Sequence, residues 1–178
     1  MKPKIGVIGS AAGDITEELK EKAREIGIEI ARYGCILLTG ATTGLSYEAV
    51  KGAKEYDGLV VGISPASNLR EHVESYKLPT EHFDVIIFTG FGYKGRNVVT
   101  IRSSDGVIAI SGRIGTLNEL TIAYDEGKVI GVLKGSGGVC DSFEEIVKTT
   151  GKKGGVIISE EEPKTLVKKL IESLYSRR

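Results

Sequence analysis

Seven short apolar runs constrain how this chain folds. They are Lys4-Ile5-Gly6-Val7-Ile8, Cys35-Ile36-Leu37-Leu38, Leu59-Val60-Val61-Gly62-Ile63, Val85-Ile86-Ile87-Phe88, Gly106-Val107-Ile108-Ala109-Ile110, Val129-Ile130-Gly131-Val132-Leu133 and Val156-Ile157-Ile158. Near-continuous Val, Ile and Leu predict strands covered on both faces, as in a parallel sheet. Longer amphipathic stretches separate them. After Asp14, residues Ile15, Leu19, Ala23, Ile26 and Ile30 share one helical face, and Gly34 closes the helix. Asp14 and Glu17 have capping-box-like spacing at its start. Further helices are expected up to Tyr56, from Lys94 to Ser104, after Gly115 and at the C-terminus. In the last of these, Leu166, Val167, Leu170, Ile171 and Leu174 form a core or oligomer face. Strict strand–helix alternation gives right-handed crossovers. The expected fold is therefore α/β. It is a single doubly wound domain over residues 1–178, with a mostly parallel sheet of about seven strands and helices on both faces.

Composition narrows the function. Lys plus Arg is 24 and Asp plus Glu is 24, a formal net charge of +0. A neutral chain lacks the positive field that draws proteins to polyanions, so no nucleic-acid partner is expected. Cys35 and Cys140 lie far apart, and His72 and His82 have no partner at metal spacing, so neither a disulfide framework nor a metal site is expected. No apolar run approaches the roughly 20 residues of a membrane span. The chain enters its first strand without a secretory leader. The expectation is a cytoplasmic protein with no membrane partner. The abundance of Lys and Glu fits a thermophilic source.

In Rossmann-like sheets, ligands sit beyond the carboxyl ends of the strands, near the point where strand order reverses. Three small, glycine-rich loops fall at such ends: Gly9 to Gly13, Gly40 to Gly44 and Gly112 to Thr116. Glycine lets backbone approach a ligand, and the following helix offers free N–H groups and a positive dipole end. Gly9, Ser10, Gly40, Thr43, Gly44, Gly112, Arg113, Gly115 and Thr116 are thus candidate phosphate ligands. The first loop is not a full GxGxxG, and no GxxxxGK[ST] is present, so a dinucleotide dehydrogenase or P-loop NTPase is poorly supported. Residues 66–82 have no clear period and contain Ser67-Asn68. A segment of this length is more often functional than idle, and Asn68 serves either a ligand or a turn.

The segment Gly95 to Leu120 is the most informative. It contains Gly95-Arg96-Asn97 and then Ser111-Gly112-Arg113-Ile114-Gly115-Thr116-Leu117-Asn118-Glu119-Leu120. It resembles the PGGxGTxxE signature of the LOG, or "lysine decarboxylase-like", family, which carries an arginine on the preceding helix. Gly40 to Ala53, GATTGLSYEAVKGA, resembles a worn version of that family's GGGxxGLMGxxxxGA. Gly95-Arg96-Asn97 resembles the form in the branch that includes molybdenum-cofactor carrier proteins. Gly112, Gly115, Thr116 and Glu119 match. Ser111 replaces the signature's Pro, Arg113 its second Gly, and Asn97 the Lys of an Arg-Lys pair.

The resemblance implies a homo-oligomer that binds a phosphorylated small molecule, either a nucleotide or a molybdopterin-type ligand, with no cofactor required. In the family's enzymes the residues matching Arg96 and Glu119 are the catalytic pair of a nucleoside 5′-monophosphate phosphoribohydrolase. Here that activity is the alternative to a carrier-like role. Chemically, Glu119 is suited to stabilise an oxocarbenium-like state or orient water, and Arg96 and Asn97 to contact phosphate or ribose. Other roles stay open. Thr116 and Glu119 have capping-box spacing, and Arg96 also fits a solvated helix position. Ser10 either binds phosphate or only ends a strand. Arg113 either adds a phosphate ligand or blocks the approach a glycine allows. Lysine decarboxylation is rejected, because nothing marks a Schiff-base lysine with its partner for pyridoxal phosphate.

Overall fold

The computed structural model describes residues 1–13 and 15–177. Seven strands form one sheet, all parallel, in the order β4-β3-β2-β1-β5-β6-β7. They are β1 (Lys4–Gly9), β2 (Ile36–Thr39), β3 (Val60–Ser64), β4 (Val85–Phe88), β5 (Gly106–Ile110), β6 (Val129–Leu133) and β7 (Val156–Glu160). The helices are α1 (Glu17–Arg32), α2 (Leu45–Glu55), α3 (Gly92–Ser103), α4 (Ile114–Asp125), α5 (Gly138–Thr150) and α6 (Pro163–Ser176). This is the doubly wound α/β fold expected from the apolar runs. Helix α5 supplies the β6–β7 crossover that strict alternation requires.

The chain steps outward from β1 to β4, then returns to place β5 on the other side of β1. Order therefore reverses between β1 and β5. Five register pairs, from Ile5 with Gly106 to Gly9 with Ile110, hold these strands together. The core lies in two layers. On one face, Ile26 and Ile30 of α1, Ala49 and Val50 of α2, and Leu166 and Leu170 of α6 pack on Ile5, Val7, Leu37 and Ile108. On the other, Ile101, Leu120, Cys140 and Phe143 pack on Ile8, Val107, Ala109 and Ile130. The apolar stripe of α6 is thus core.

Helix α1 is capped by Thr16, whose hydroxyl accepts from the Leu19 amide at 3.2 Å. Asp14, proposed as that cap, lies outside the described residues. Residues 66–82 fold around a π-helical turn, Glu71–Ser75. The fully buried His72 ring staples this segment, with Nδ1 2.8 Å from Ser64 Oγ and Nε2 2.9 Å from the Pro79 carbonyl. Asn68 serves the turn: its Oδ1 accepts from the Glu71 amide at 2.9 Å. Among the described residues, no helix is long and apolar enough to cross a membrane, and no three His, Cys, Asp or Glu side chains gather as a metal site would need.

Two glycines let α1 and α2 touch backbone to backbone. A Cβ at Gly27 would lie 1.9 Å from the Ala49 carbonyl oxygen, and one at Gly52 1.9 Å from that of Arg24. The obstacles are main-chain atoms, so a side chain there must push the helices apart. Gly27→Ala and Gly52→Ala are each expected to lower the unfolding free energy by about 1–3 kcal/mol, read as a lower urea midpoint with the circular-dichroism spectrum retained.

Candidate functional site

A cavity of about 350 Å³ opens at the carboxyl ends of β1 and β2, at the strand-order reversal. Its floor is Val7 to Ala12, one side is Gly40, Thr42 and Ser46, and the other is the first turns of α3 and α4. The volume falls in the ordinary range for small-molecule sites, roughly 300–1,000 Å³.

The turn before α3 brings an arginine to this cavity. Thr89 Oγ1 donates to the Ser64 carbonyl at 2.7 Å, and Gly90 and Gly92 take φ of 68° and 63°. That sharp turn starts α3 at Gly92, so Tyr93, Lys94, Arg96 and Asn97 all reach the cavity wall. Arg96 is buried, and its Nη1 donates to Glu119 Oε1 at 3.1 Å. Their side chains are 8% and 9% exposed, so this is a buried ion pair. Gly40 makes room for it, since a Cβ there would come within 2.2 Å of the guanidinium carbon. Arg96 Nε is buried and has no partner among the described residues. Asn97 Nδ2 donates to Asn118 Oδ1 at 2.8 Å, which ties α3 to α4.

Burial governs the electrostatics. Loss of water pushes the Glu119 carboxyl above the ordinary carboxylate range, and the nearby cations Arg96 and Lys94 hold it down only in part. The same burial pulls Arg96 down, although a guanidinium keeps its charge in proteins. The pair is a polar device kept in an expensive place.

The capping-box reading of Thr116 and Glu119 does not survive. Helix α4 begins at Ile114, with Arg113 at the N-cap, so both residues lie inside the helix. Both are buried and line the cavity. Among the described residues no side chain caps the α4 N-terminus, and its first turn holds no acidic residue.

Gly9, Ser10, Gly40, Arg96, Asn97, Arg113, Gly115, Thr116 and Glu119 all line the one cavity. Thr43, Gly44 and Gly112 stand behind the wall. Thr43 Oγ1 donates to the Ala11 carbonyl at 3.3 Å, and the Leu45 amide to that of Ser10 at 2.9 Å. A Cβ on Gly44, at φ 79°, would strike the Ser10 carbonyl at 2.2 Å. The Gly112 amide donates to Ser10 Oγ at 3.0 Å. Ser10 is therefore both wall and brace, linking the loops after β1 and β5.

Backbone geometry accounts for two departures from the signature. Ser111 takes φ 55°, which a proline ring locked near −65° cannot adopt. Arg113 is extended, at φ −118° and ψ −159°, so nothing there demands glycine. Sequence reasoning missed Val7, Ile8, Ser46, Tyr93 and Lys94, and it named the loops that hold Ala11, Ala12 and Thr42 without singling those residues out. Tyr93 and Lys94 carried one signal, their place just before Gly95-Arg96-Asn97.

A parallel, doubly wound sheet with a cavity at its switch point defines the Rossmann-like class. Within that class, the chain belongs to the SLOG cluster4 family, whose model matches residues 2–167. An uncharacterized protein of Archaeoglobus fulgidus is 38% identical over 130 residues, 73% of this chain and 79% of that protein. The molybdenum cofactor binding protein of Rippkaea orientalis superimposes with a TM-score of 0.80 at 32% identity, over 98% of both chains. The molybdenum cofactor carrier protein of Chlamydomonas reinhardtii does so with a TM-score of 0.76 at 26% identity, over 99% of both.

Removing one partner of a buried ion pair strands the other. Arg96→Met and Glu119→Leu are each expected to lower the unfolding free energy by roughly 3 kcal/mol. The double variant should lose clearly less than the sum in urea titrations. The pH dependence has a definite sign. The Glu119 pKa is raised on folding, so its contribution to stability is full below the unfolded value and is lost as pH rises through the folded one. Glu119→Gln should therefore gain stability relative to the unaltered protein as pH rises from acid to neutral, measured by the urea midpoint at each pH.

Proposed function

We propose that the protein binds a phosphorylated nucleotide or nucleotide-like cofactor in the switch-point cavity, in a carrier-like role. The observation that carries this is the uncapped N-terminus of α4 facing a cavity whose wall holds the buried Arg96, with Nε unpartnered. Free helix N–H groups and an arginine fork together receive phosphate. The two molybdenum-cofactor-binding neighbours support a molybdopterin-type ligand. The residues suit such a group: the α4 N-terminus and Arg96 for its phosphate, and Val7, Ile8 and Tyr93 for an organic ring. Among the described residues that line the cavity there is no thiol, and the role proposed for the chain is to hold and shield the ligand.

A second reading is base release from a nucleoside 5′-monophosphate, and the Arg96–Glu119 contact favours it. For that reaction Glu119 must face the ribose as a carboxylate. Burial favours the neutral acid, and the contact with Arg96 fixes the carboxyl's direction and offsets part of that effect.

We also propose a homo-oligomer. Strands of a parallel sheet are covered on both faces, yet Val85 and Ile87 of edge strand β4 stand 48% and 47% exposed. Phe91, before α3, and Val98, on it, are exposed apolar residues too, and a second copy would cover such surface.

Native mass spectrometry of gently purified protein, beside a thermal-shift panel of nucleoside monophosphates and pterins, tests the first reading. A retained or stabilising phosphorylated ligand is expected, lost in Gly40→Ala because the new methyl displaces the Arg96 guanidinium. No ligand and no shift would end that reading. Base release from the same monophosphates, absent in Glu119→Gln, would establish the second.

A further inference from the structure

Two cations besides Arg96, Lys94 and Arg113, stand at the cavity mouth. Lys94 extends from the first turn of α3 towards α4, and its Nζ lies 3.7 Å from where a Gly115 Cβ would be. It therefore stands over the second residue of α4, beside the helix's free N–H groups. Arg113 is the N-cap residue of that helix, and its side chain crosses to the loop after β1. There the guanidinium lies on Gly13, at φ 110°, where a Cβ would come within 2.0 Å of Nη2. Both side chains line the cavity, and neither joins an ion pair among the described residues.

Among the described residues that line the cavity, Lys94, Arg96 and Arg113 stand against one carboxylate, Glu119, an excess of two positive charges. The α4 dipole adds about half a charge of the same sign. A phosphomonoester carries roughly −1.5 to −2 at neutral pH, which this arrangement matches. A phosphodiester carries a single negative charge and presents one esterified oxygen where a cation expects a free one. The buried, unpartnered Arg96 Nε in the same cavity is an independent sign that a polar ligand belongs there.

We propose that Lys94 and Arg113 are specificity-determining residues that select a ligand with a terminal, doubly ionised phosphomonoester, and discriminate against phosphodiesters and unphosphorylated analogues. This rests on the reading that the cavity holds a phosphorylated ligand, and adds which phosphate and which residues choose it. Lys94 sits above the α4 N-terminus as a compact charge, and Arg113 offers a planar fork from the side. Arg113 thus acts as an added ligand rather than an obstruction. Its place across Gly13 makes it a bridge between the two glycine-rich loops that flank the phosphate.

The test is an amide NMR titration of the full chain with methyl phosphate and with dimethyl phosphate at pH 8, following Gly115 and Thr116. Methyl phosphate is expected to bind at least tenfold more tightly than dimethyl phosphate. Lys94→Ala and Arg113→Gly are each expected to weaken methyl phosphate about tenfold, the scale of one charge-assisted contact, and to bring the two affinities together. Arg113→Lys should recover part of the loss. Equal weakening of both probes, or no effect of either variant, would overturn the selectivity while leaving the cavity a phosphate site. If neither probe shifts the unaltered protein, while its spectrum is that of a folded chain, this proposal and the reading beneath it both fall.

Discussion

The floor of the cavity and its place in the sheet depend on β1 and β5 lying side by side. That pairing creates the reversal of strand order, and the reversal leaves a gap between the helices that follow the two strands. Glycine makes the approach tight: a Cβ on Gly9 would meet the Ile110 carbonyl oxygen at 2.6 Å. With the strands so close, Ser10 reaches Gly112 and brings the loop after β1 against the loop before α4. The α4 N-terminus, the Ser10 loop and the arginine of α3 then face one space. The cavity is a consequence of packing two strand ends, not an addition to a finished fold.

Into that space the protein places an ion pair that stability alone would not select. A buried guanidinium and carboxylate give back in mutual attraction roughly what desolvation removes. Apolar residues of similar volume would serve the fold as well or better. The pair persists beside an orphaned Arg96 Nε and an uncapped helix. A buried ion pair, an unpartnered nitrogen and an uncapped helix in one cavity mark where local consistency is given up, as it commonly is where function is asked of a fold.

The fold was legible because its signals are local and repeated. Val-Ile-Leu runs bounded by glycine gave all seven strands within one or two residues. Arg96, Glu119 and Thr116 were legible through a spaced motif. What escaped depends on three-dimensional placement. The spacing of Thr116 and Glu119 suits a cap, but the helix starts two residues before Thr116 and carries both inside it. Nothing in the loop around Thr43 and Gly44 tells that they brace the wall from behind while Thr42 lines it. Lys94 has no motif of its own, and only the turn at Gly90 and Gly92 aims it at α4. Residues 66–82 looked functional because they lacked a period. A single buried histidine, bonded at both nitrogens, supplies the order that periodicity supplies elsewhere.

The left-handed backbone at Ser111 has a bearing on how this sequence can vary. The serine and the arginine two residues later look like independent losses from a glycine-rich signature. They belong instead to one loop path: the turn at Ser111 and Gly112 delivers position 113 in an extended conformation, aimed at the opposite loop. Restoring proline at 111 alone would force the chain out of that path and swing Arg113 off Gly13. A lineage moving between this loop and the proline form must therefore change both positions in concert, or pass through an intermediate that has lost its bridge.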